Sequence, residues 1–480
     1  MGRPPGRPSP QTKADRPMTA IRLPRPRRLR ATTYLAAALA IAGATYLAGA
    51  LANAPSSTTS SRPQPAAVLA PSAPVPASGG TDALLRAIDH EIGLWTASLR
   101  ANPGDFIAAT MVGSLHERRA RITGDLADYQ VALEAADRGI EADPIHWPAH
   151  VLRASVLFSL HDFPAALDEA RRTYDADDTQ RQALAVMGDA SLELGDVEAA
   201  DDAYSLLAQR AASPPVWSRL AHLAFITGDA DRAAELARRA IAESGDEPAE
   251  SQAFYRFQLG ELHRAAGRLG EAEAAYREAL QILEGHIPAS AGLARVLEAK
   301  GDRAGAIELL ERATLRLPQP ELVAALGDLH ALAGDHDRAE QQYALVERIA
   351  ELARATGTAY DRQLVLFAAD HDRGVADAVA MATAELEARP DVYGYDALAW
   401  ALYRDGQLER AAHAAGQAMR LGTPDPRLAY HAGMIAAAQG RSADALMLLR
   451  QASEGAAYLP PLQAVELQRA LADLTGETDR

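Results

Sequence analysis

The sequence contains no cysteine, which removes disulfides, thiolate metal sites, cysteine nucleophiles and a lipidated cysteine together. Lysine is almost missing, since only Lys13 and Lys300 stand among 48 basic residues. Neither lysine follows a glycine, so a phosphate-binding GxxxxGK loop is absent. The GxSxG and HExxH motifs of serine hydrolases and zinc proteases are absent as well. We therefore predict a protein that is not an enzyme, with no catalytic residue, no cofactor and no small-molecule substrate.

Aromatic residues are scarce at 5%, whereas alanine is abundant throughout the chain. Small apolar residues at high density favour closely packed helices over sheets. Positive charge is scarce beyond residue 30, because residues 31–480 hold 39 basic and 63 acidic residues, a formal net charge of −24. Such an acidic body repels phosphates, so binding to nucleic acid is not expected.

The first eighty residues differ in composition from the rest of the chain. Residues 1–30 are rich in proline and arginine and predict a disordered cytoplasmic arm. Residues 31–52 carry no charge over 22 positions, a length that crosses a bilayer as a helix. Residues 53–80 contain six prolines among serine, threonine and alanine, which is typical of a semi-rigid linker.

Five arginines between residues 22 and 30 precede the apolar segment, and only Arg62 lies close behind it. The positive-inside rule then places the N-terminus in the cytoplasm and the body outside the membrane. Two interpretations stay open. The segment is a single-pass anchor, or it is a signal peptide cut after Ala52 that releases a secreted protein.

From residue 105 the chain repeats itself with a period of about 34 residues. Leu259-Gly260 is followed by Gly267, Ala272 and Tyr276, and Leu326-Gly327 is followed at the same spacing by Gly334, Ala339 and Tyr343. The small residue lets a second helix approach the first, and the later glycine ends the first helix in a left-handed conformation. An aspartate often follows that glycine and is expected to cap the second helix.

These motifs resemble the tetratricopeptide repeat family, and the N-terminal segment predicts a bacterial member that is membrane-anchored or exported. The resemblance implies an all-α fold, a right-handed α-solenoid of about ten helix-turn-helix repeats, preceded here by the N-terminal hydrophobic helix. The small residues place the repeats at Gly113, Ala154, Gly188, Ala221, Gly260, Ala294, Gly327, Leu366, Ala399 and Gly433. The array is predicted over residues 105–458, between an N-terminal capping helix within 81–104 and a C-terminal capping helix and tail over 459–480. The repeat at Leu366 departs most from the pattern, since it lacks the turn glycine and the small residue.

Relatives with this repeat bind partners on the concave surface of their first helices, which implies where a partner protein or peptide would bind. Tyr393, Asp396, Trp400 and Tyr403 form one helical stripe beside the core stripe, with counterparts in the two flanking repeats. The predicted groove residues are Tyr360, Gln363, Phe367, Asp370, Tyr393, Asp396, Trp400, Tyr403, Arg427, Tyr430 and Met434. The alternative is that these aromatics fill gaps between helices. A second candidate set comprises Phe254, Phe257, Glu261 and Arg264.

Few arginines and no lysine are expected on the inner surface, so a basic clamp for acidic C-terminal peptides is not predicted. Metal-like patterns are interpreted as structural: His146 with His150, and the Asp-His-Asp-Arg runs that begin at Asp335 and Asp370, where aspartate caps a helix. No metal is predicted. The sequence favours a scaffold or adaptor in the cell envelope, and the alternative is an accessory subunit that recruits substrate to an envelope enzyme or transporter.

Overall fold

A computed structural model describes residues 1–2, 80–356 and 362–476 of the chain. The regular elements of these residues are all helical. The α-helices are α1 (Gly80–Ala101), α2 (Phe106–Thr123), α3 (Leu126–Ala142), α4 (Trp147–Ser159), α5 (Phe163–Ala176), α6 (Arg181–Glu193), α7 (Val197–Ala211), α8 (Pro214–Ile226), α9 (Ala230–Glu243), α10 (Ala249–Ala265), α11 (Leu269–Ile282), α12 (Ile287–Ala299), α13 (Arg303–Arg316), α14 (Pro320–Leu332), α15 (His336–Thr356), α16 (Arg362–Asp370), α17 (Val375–Ala388), α18 (Val392–Arg404), α19 (Leu408–Ala418), α20 (Pro426–Ala438), α21 (Ser442–Glu454) and α22 (Pro461–Thr475). A 3₁₀ turn (Ala456–Tyr458) joins the last two helices.

The helices α2 to α21 form successive pairs, and the prediction of an all-helical repeat array is confirmed. Each small residue that marks a repeat lies in the first helix of its pair, from Gly113 in α2 to Gly433 in α20. At Gly260 a Cβ atom would lie 2.5 Å from the ring of Tyr276 in the partner helix. A glycine is therefore required there for the two helices to approach each other.

The turns within the repeats follow the expected chemistry. Gly228 and Gly334 adopt φ angles of 91° and 81°, a left-handed conformation that glycine adopts without strain. The next residues, Asp229 and Asp335, accept hydrogen bonds of 3.0 and 3.1 Å from backbone N–H groups in the first turn of the second helix. The predicted helix ends and caps are confirmed at these turns.

The repeat at Leu366 is irregular, as predicted. Its first helix, α16, has nine residues, whereas the preceding helix α15 has 21. Asp372 adopts a φ of 53° in the turn, where most repeats have glycine. Its carboxylate forms a 2.6 Å ion pair with Arg404 of the next repeat, which holds this turn in place.

Neighbouring turns of the solenoid contact each other. The Thr81 hydroxyl donates to the Glu284 carbonyl at 2.7 Å, across 203 residues of chain, and the Thr423 hydroxyl donates to the Ile226 carbonyl at 2.5 Å, across 197 residues. Arg389 forms an ion pair with Glu193 across 196 residues. One superhelical turn therefore takes about two hundred residues, and the C-terminal repeats pack against the inter-helix loops of the N-terminal repeats.

The segments 3–79 and 357–361 lie outside the described residues, and with them the predicted arm, the hydrophobic segment, nearly all of the linker and Tyr360. Among the helices that the structure describes, none has both the length and the apolar character needed to cross a bilayer.

Candidate functional site

The inner surface of the superhelix forms a partly open cavity of about 470 Å³, which we call the lumen. Its wall is formed by the inner faces of the first helices from α6 to α20 and by the 3₁₀ turn near the C-terminus. Turn and loop residues of the neighbouring superhelical turn complete the wall, among them His161, Arg389 and Leu421. The lumen therefore brings together side chains that are far apart in the sequence.

Charged groups of both signs line the lumen in equal number. Six arginines lie in its wall, at positions 264, 295, 362, 389, 420 and 427, beside six carboxylates, at positions 193, 261, 321, 328, 370 and 391. The expectation of few arginines on the inner surface is wrong. Two of the six, Arg389 and Arg420, follow second helices and reach the lumen because the neighbouring superhelical turns contact each other.

One ion-pair cluster joins two superhelical turns at the edge of the lumen. Arg389 pairs with Glu193, and Arg362 contacts Asp391 at 3.0 Å and Glu385 at 2.9 Å. Burial raises the pKa of the Glu193 carboxyl, and the charge of Arg389 opposes that rise. Removing one partner of such a buried cluster leaves an uncompensated charge. The ion pairs therefore stabilise the contact between the two superhelical turns.

Two histidines face the lumen from the N-terminal half. His161 takes the place of a turn glycine with a φ of 64°, and its ring stacks on Phe163 with centroids 5.4 Å apart. Its Nε2 atom is buried and makes no hydrogen bond to a described residue. Burial, with help from Arg389 and Arg362, lowers the pKa of His161 to about 3, and burial lowers the pKa of His222 to about 4. Both imidazoles are therefore neutral at pH 7.

Five of the predicted groove residues line the lumen: Gln363, Phe367, Asp370, Tyr393 and Arg427. The buried Nε atom of Arg427 makes no hydrogen bond to a described residue and lies 3.6 Å from the Asp396 carboxylate. The Arg427 guanidinium lies 5.5 Å from the centre of the Tyr393 ring. The structure brings these five residues together on one surface.

The other described groove residues lie behind the lumen wall. Trp400 and Tyr430 are 1% and 0% exposed, Asp396 and Met434 are buried, and Tyr403 is half-buried. The Trp400 ring stacks on His431, with centroids 4.2 Å apart and planes inclined by 12°. These aromatics fill the space between α18, α20 and α22, which is the packing alternative for this half of the stripe.

A chain of hydrogen bonds explains why these groups are buried. Trp400 Nε1 donates to Asp370 at 2.6 Å, and the Gln463 amide donates to the same carboxylate at 2.7 Å. His431 Nδ1 lies 2.8 Å from Asp396 Oδ1, and His431 Nε2 lies 3.2 Å from the Gln463 amide. With the Nδ1–H of His431 donating to Asp396 and Nε2 accepting from Gln463, the network ties the C-terminal helix α22 to three repeats.

The second candidate set, Phe254, Phe257, Glu261 and Arg264, lies entirely on the lumen wall. Arg264 is 2% exposed and donates to the Tyr276 hydroxyl at 3.2 Å and to the Ala457 carbonyl at 2.9 Å. Its guanidinium also lies 4.2 Å from the centre of the Tyr458 ring. Sequence reasoning gave this set less weight, yet it contributes more lumen surface than Trp400 or Tyr430.

The metal-like patterns have structural contacts. His150 lies 2.7 Å from Glu169 through Nδ1 and 3.2 Å from the Pro144 carbonyl through Nε2, and His146 precedes α4. Asp335 caps a helix as expected, whereas Asp370 belongs to the Trp400 network and does not cap one. Within the described part of the chain, groups of three or more histidine, aspartate or glutamate side chains do not converge in a way that could hold a metal ion.

Three family models match the array, each described as "Tetratricopeptide repeat". They cover residues 263–329, residues 213–285, and both 118–181 and 397–460. The repeats in these stretches are tetratricopeptide repeats. The matched stretches include the helices α10, α12 and α20 of the tetratricopeptide array, whose inner faces form much of the lumen.

A comparison with curated proteins returns no match. Among solved structures, the tetratricopeptide array is similar to the human IFIT1 dimer with PPP-AAAA, at a TM-score of 0.45 and 15% identity over 65% of this chain and 72% of that chain. It is also similar to Pseudomonas aeruginosa pilF, at 0.37 and 14% over 43% and 92% of the two chains. YrrB, described as a tetratricopeptide protein with an unusual peptide-binding site, gives 0.27 and 19% over 39% and 94%. None of these similarities bears on what the present chain binds.

Proposed function

We propose that this tetratricopeptide protein is a non-catalytic scaffold or adaptor of the bacterial cell envelope that binds a segment of a partner protein in its lumen. The observation that carries the proposal is the lumen itself, where aromatic and arginine side chains from successive repeats meet at one concave surface. Arginine and aromatic residues contribute most of the binding energy at protein interfaces.

The size and charge of the lumen favour a short peptide segment. A volume of about 470 Å³ lies within the range of sites for small ligands and is far too small for a folded domain. The balance of six arginines against six carboxylates leaves no excess positive charge for a phosphate backbone. A peptide offers apolar side chains together with both hydrogen-bond donors and acceptors, as this wall requires.

The proposed location rests on the sequence of residues 1–52. In this proposal the apolar segment 31–52 anchors the protein with the tetratricopeptide body outside the cytoplasm, and cleavage after Ala52 would give a secreted form instead. The alternative function is an accessory subunit that recruits substrate to an envelope enzyme or transport complex. Such a subunit would co-purify with one enzyme at fixed stoichiometry, whereas a general adaptor would retain several partners.

The test is capture of partners from an envelope extract by the full chain in mild detergent, compared with the Gln363→Trp variant. Gln363 is half-buried on the lumen wall and donates to the Glu321 carboxylate at 3.4 Å, so a tryptophan there occupies lumen space and removes that contact. Met447→Trp is the matched control, because Met447 is 63% exposed on the outer helix α21. Circular dichroism and the melting temperature establish that both variants are folded.

We expect a partner that binds the wild type and Met447→Trp and is lost at least tenfold from Gln363→Trp. Retention of every partner by Gln363→Trp, with unchanged stoichiometry, would place binding outside the lumen and refute the proposal. Purified RNA added to the same proteins serves as a check, since the charge balance predicts no binding.

A further inference from the structure

The chain places one of its own segments against the lumen wall. After α21 the backbone passes through Gly455, forms the 3₁₀ turn Ala456–Tyr458 and continues through Leu459 and Pro460 into α22. This turn contacts the first helices α10 and α12 of two central repeats as well as α20. A segment near residue 457 therefore lies on two helices whose residues come about 160 to 210 positions earlier.

Arg264 of α10 holds this segment in two ways. Its Nη1 donates to the Ala457 carbonyl at 2.9 Å, and the same guanidinium lies 4.2 Å from the centre of the Tyr458 ring. The Tyr458 ring is half-buried and packs against the cluster that contains Phe254 and Phe257. Arg264 thus recognises a backbone carbonyl and the aromatic ring that follows it.

The flanking residues restrict what can occupy this position. A Cβ atom at Gly455 would collide with the Ala265 carbonyl and the Pro426 ring. Ala456 and Ala457 are half-buried small residues, whereas Leu459 is 2% exposed in the cluster with Trp400 and Tyr430. The pattern is therefore small residues, then an aromatic ring, then an aliphatic side chain and a proline.

We propose that residues 455–460 occupy, in cis, the place of a partner peptide with a small-small-aromatic-aliphatic-proline pattern, and that Arg264 is the residue that selects it. This inference rests on the proposed function and names the chemistry of the peptide. The segment is held at both ends by packed helices, so its effective concentration at the site is of the order of millimolar. A free peptide consequently competes poorly until the Tyr458 ring is removed.

The experiment titrates an acetylated and amidated hexapeptide, Gly-Ala-Ala-Tyr-Leu-Pro, into the full chain in detergent and follows binding by calorimetry or fluorescence anisotropy. The proteins are the wild type, Tyr458→Ala, and Tyr458→Ala combined with Arg264→Gln. A peptide with alanine in place of tyrosine is the control ligand. We expect Tyr458→Ala to bind the tyrosine peptide at least tenfold more tightly than the wild type. We also expect the Arg264→Gln change to abolish that gain and the alanine peptide to bind to none of the proteins.

A folded Tyr458→Ala protein that does not bind the peptide, or that binds both peptides equally, would overturn the inference. If Tyr458→Ala does not fold, 4-fluorophenylalanine at position 458 provides the measurement in an otherwise wild-type chain. Saturating peptide must then move its ¹⁹F resonance toward the position of a solvent-exposed ring, and an unmoved resonance refutes the displacement. Conversion to a dimer by exchange of the segment between two copies would also contradict it.

This outcome is independent of the capture experiment. Loss of partner from Gln363→Trp, together with no peptide binding by Tyr458→Ala, would retain the lumen as the binding site and reject only the peptide pattern. Peptide binding by Tyr458→Ala, together with retention of every partner by Gln363→Trp, would support the peptide pattern and reject the lumen as the site of partner capture.

Discussion

At the scale of single residues, the histidines near the lumen are kept neutral by their surroundings. Burial lowers the pKa of His222 to about 4 and that of His286 to about 3. In the unfolded chain a histidine titrates near pH 6.5, so acidification adds a proton to the unfolded state before it adds one to the folded state. The folded protein therefore loses stability as the pH falls from about 6.5 toward about 4.

We expect His222→Gln to remove part of this acid sensitivity. The variant cannot take up the proton, so its stability relative to the wild type should increase as the pH falls through that window. Urea denaturation at pH 7.5, 6.0 and 5.0 measures the effect. His90→Gln, at an exposed position in α1, is the matched control for replacing a histidine by glutamine. A constant difference between His222→Gln and the wild type across the series would contradict the argument.

The residue scale is also where sequence reasoning about the site was least complete. Helical spacing places Trp400 on the same stripe as Tyr393, but it does not reveal the hydrogen bond from Trp400 to Asp370 that draws the indole into the interior. The positions of Arg389 and Arg420 in the lumen depend on contacts between superhelical turns. These contacts have no local sequence period, so no spacing rule indicates them.

At the scale of elements, the repeat pattern predicts the helix pairs because each of its signals acts within one repeat. The small residue, the turn glycine and the capping aspartate all determine structure within about twenty residues, as at Gly327, Gly334 and Asp335. The short helix α16 and the long helix α15 follow from the irregular spacing around Leu366. The contacts that the inter-helix loops make with the neighbouring superhelical turn could not be predicted in this way.

Two glycines with the same φ angle allow the backbone strain of a loop to be measured separately from the loop's contact with the neighbouring superhelical turn. Gly195 and Gly406 both have a φ of 77°, but a Cβ at Gly195 would lie 2.7 Å from the Pro390 carbonyl, whereas a Cβ at Gly406 meets nothing within 4 Å. Alanine at Gly406 should cost about 1 to 2 kcal/mol of stability through backbone strain alone. Alanine at Gly195 should cost a further 1 to 3 kcal/mol or so, because the two turns must separate. Urea denaturation measures both, and equal losses would mean that the contact between turns contributes nothing.

At the scale of the whole molecule, the contacts between turns change how the array unfolds. A solenoid in which each repeat touches only its neighbours can lose its ends while its centre stays folded. Here Arg389 binds Glu193, and Thr423 binds the Ile226 carbonyl, so distant repeats stabilise one another. We expect the described body to unfold in one transition.

Two tryptophans provide the measurement. Trp217 lies in α8 and Trp400 in α18, and single-tryptophan versions with phenylalanine at the other three positions report on each region separately. In each variant the fluorescence midpoint in urea should equal the midpoint that circular dichroism gives for the same variant, since dichroism reports on all the helices. A fluorescence midpoint that differs from the dichroism midpoint of the same protein would show that its region unfolds separately, as in an array with nearest-neighbour contacts alone.

Contacts between late and early repeats also determine the order in which the fold assembles. During synthesis from the N-terminus the early helix pairs can stack as soon as they emerge, but their turns wait for residues made about two hundred positions later. The wall of the lumen is complete only when Gln463 has joined Asp370 and His431. The lumen is thus the last part of the fold to form, and a ligand that needs its complete wall can bind only after the C-terminal helix has docked.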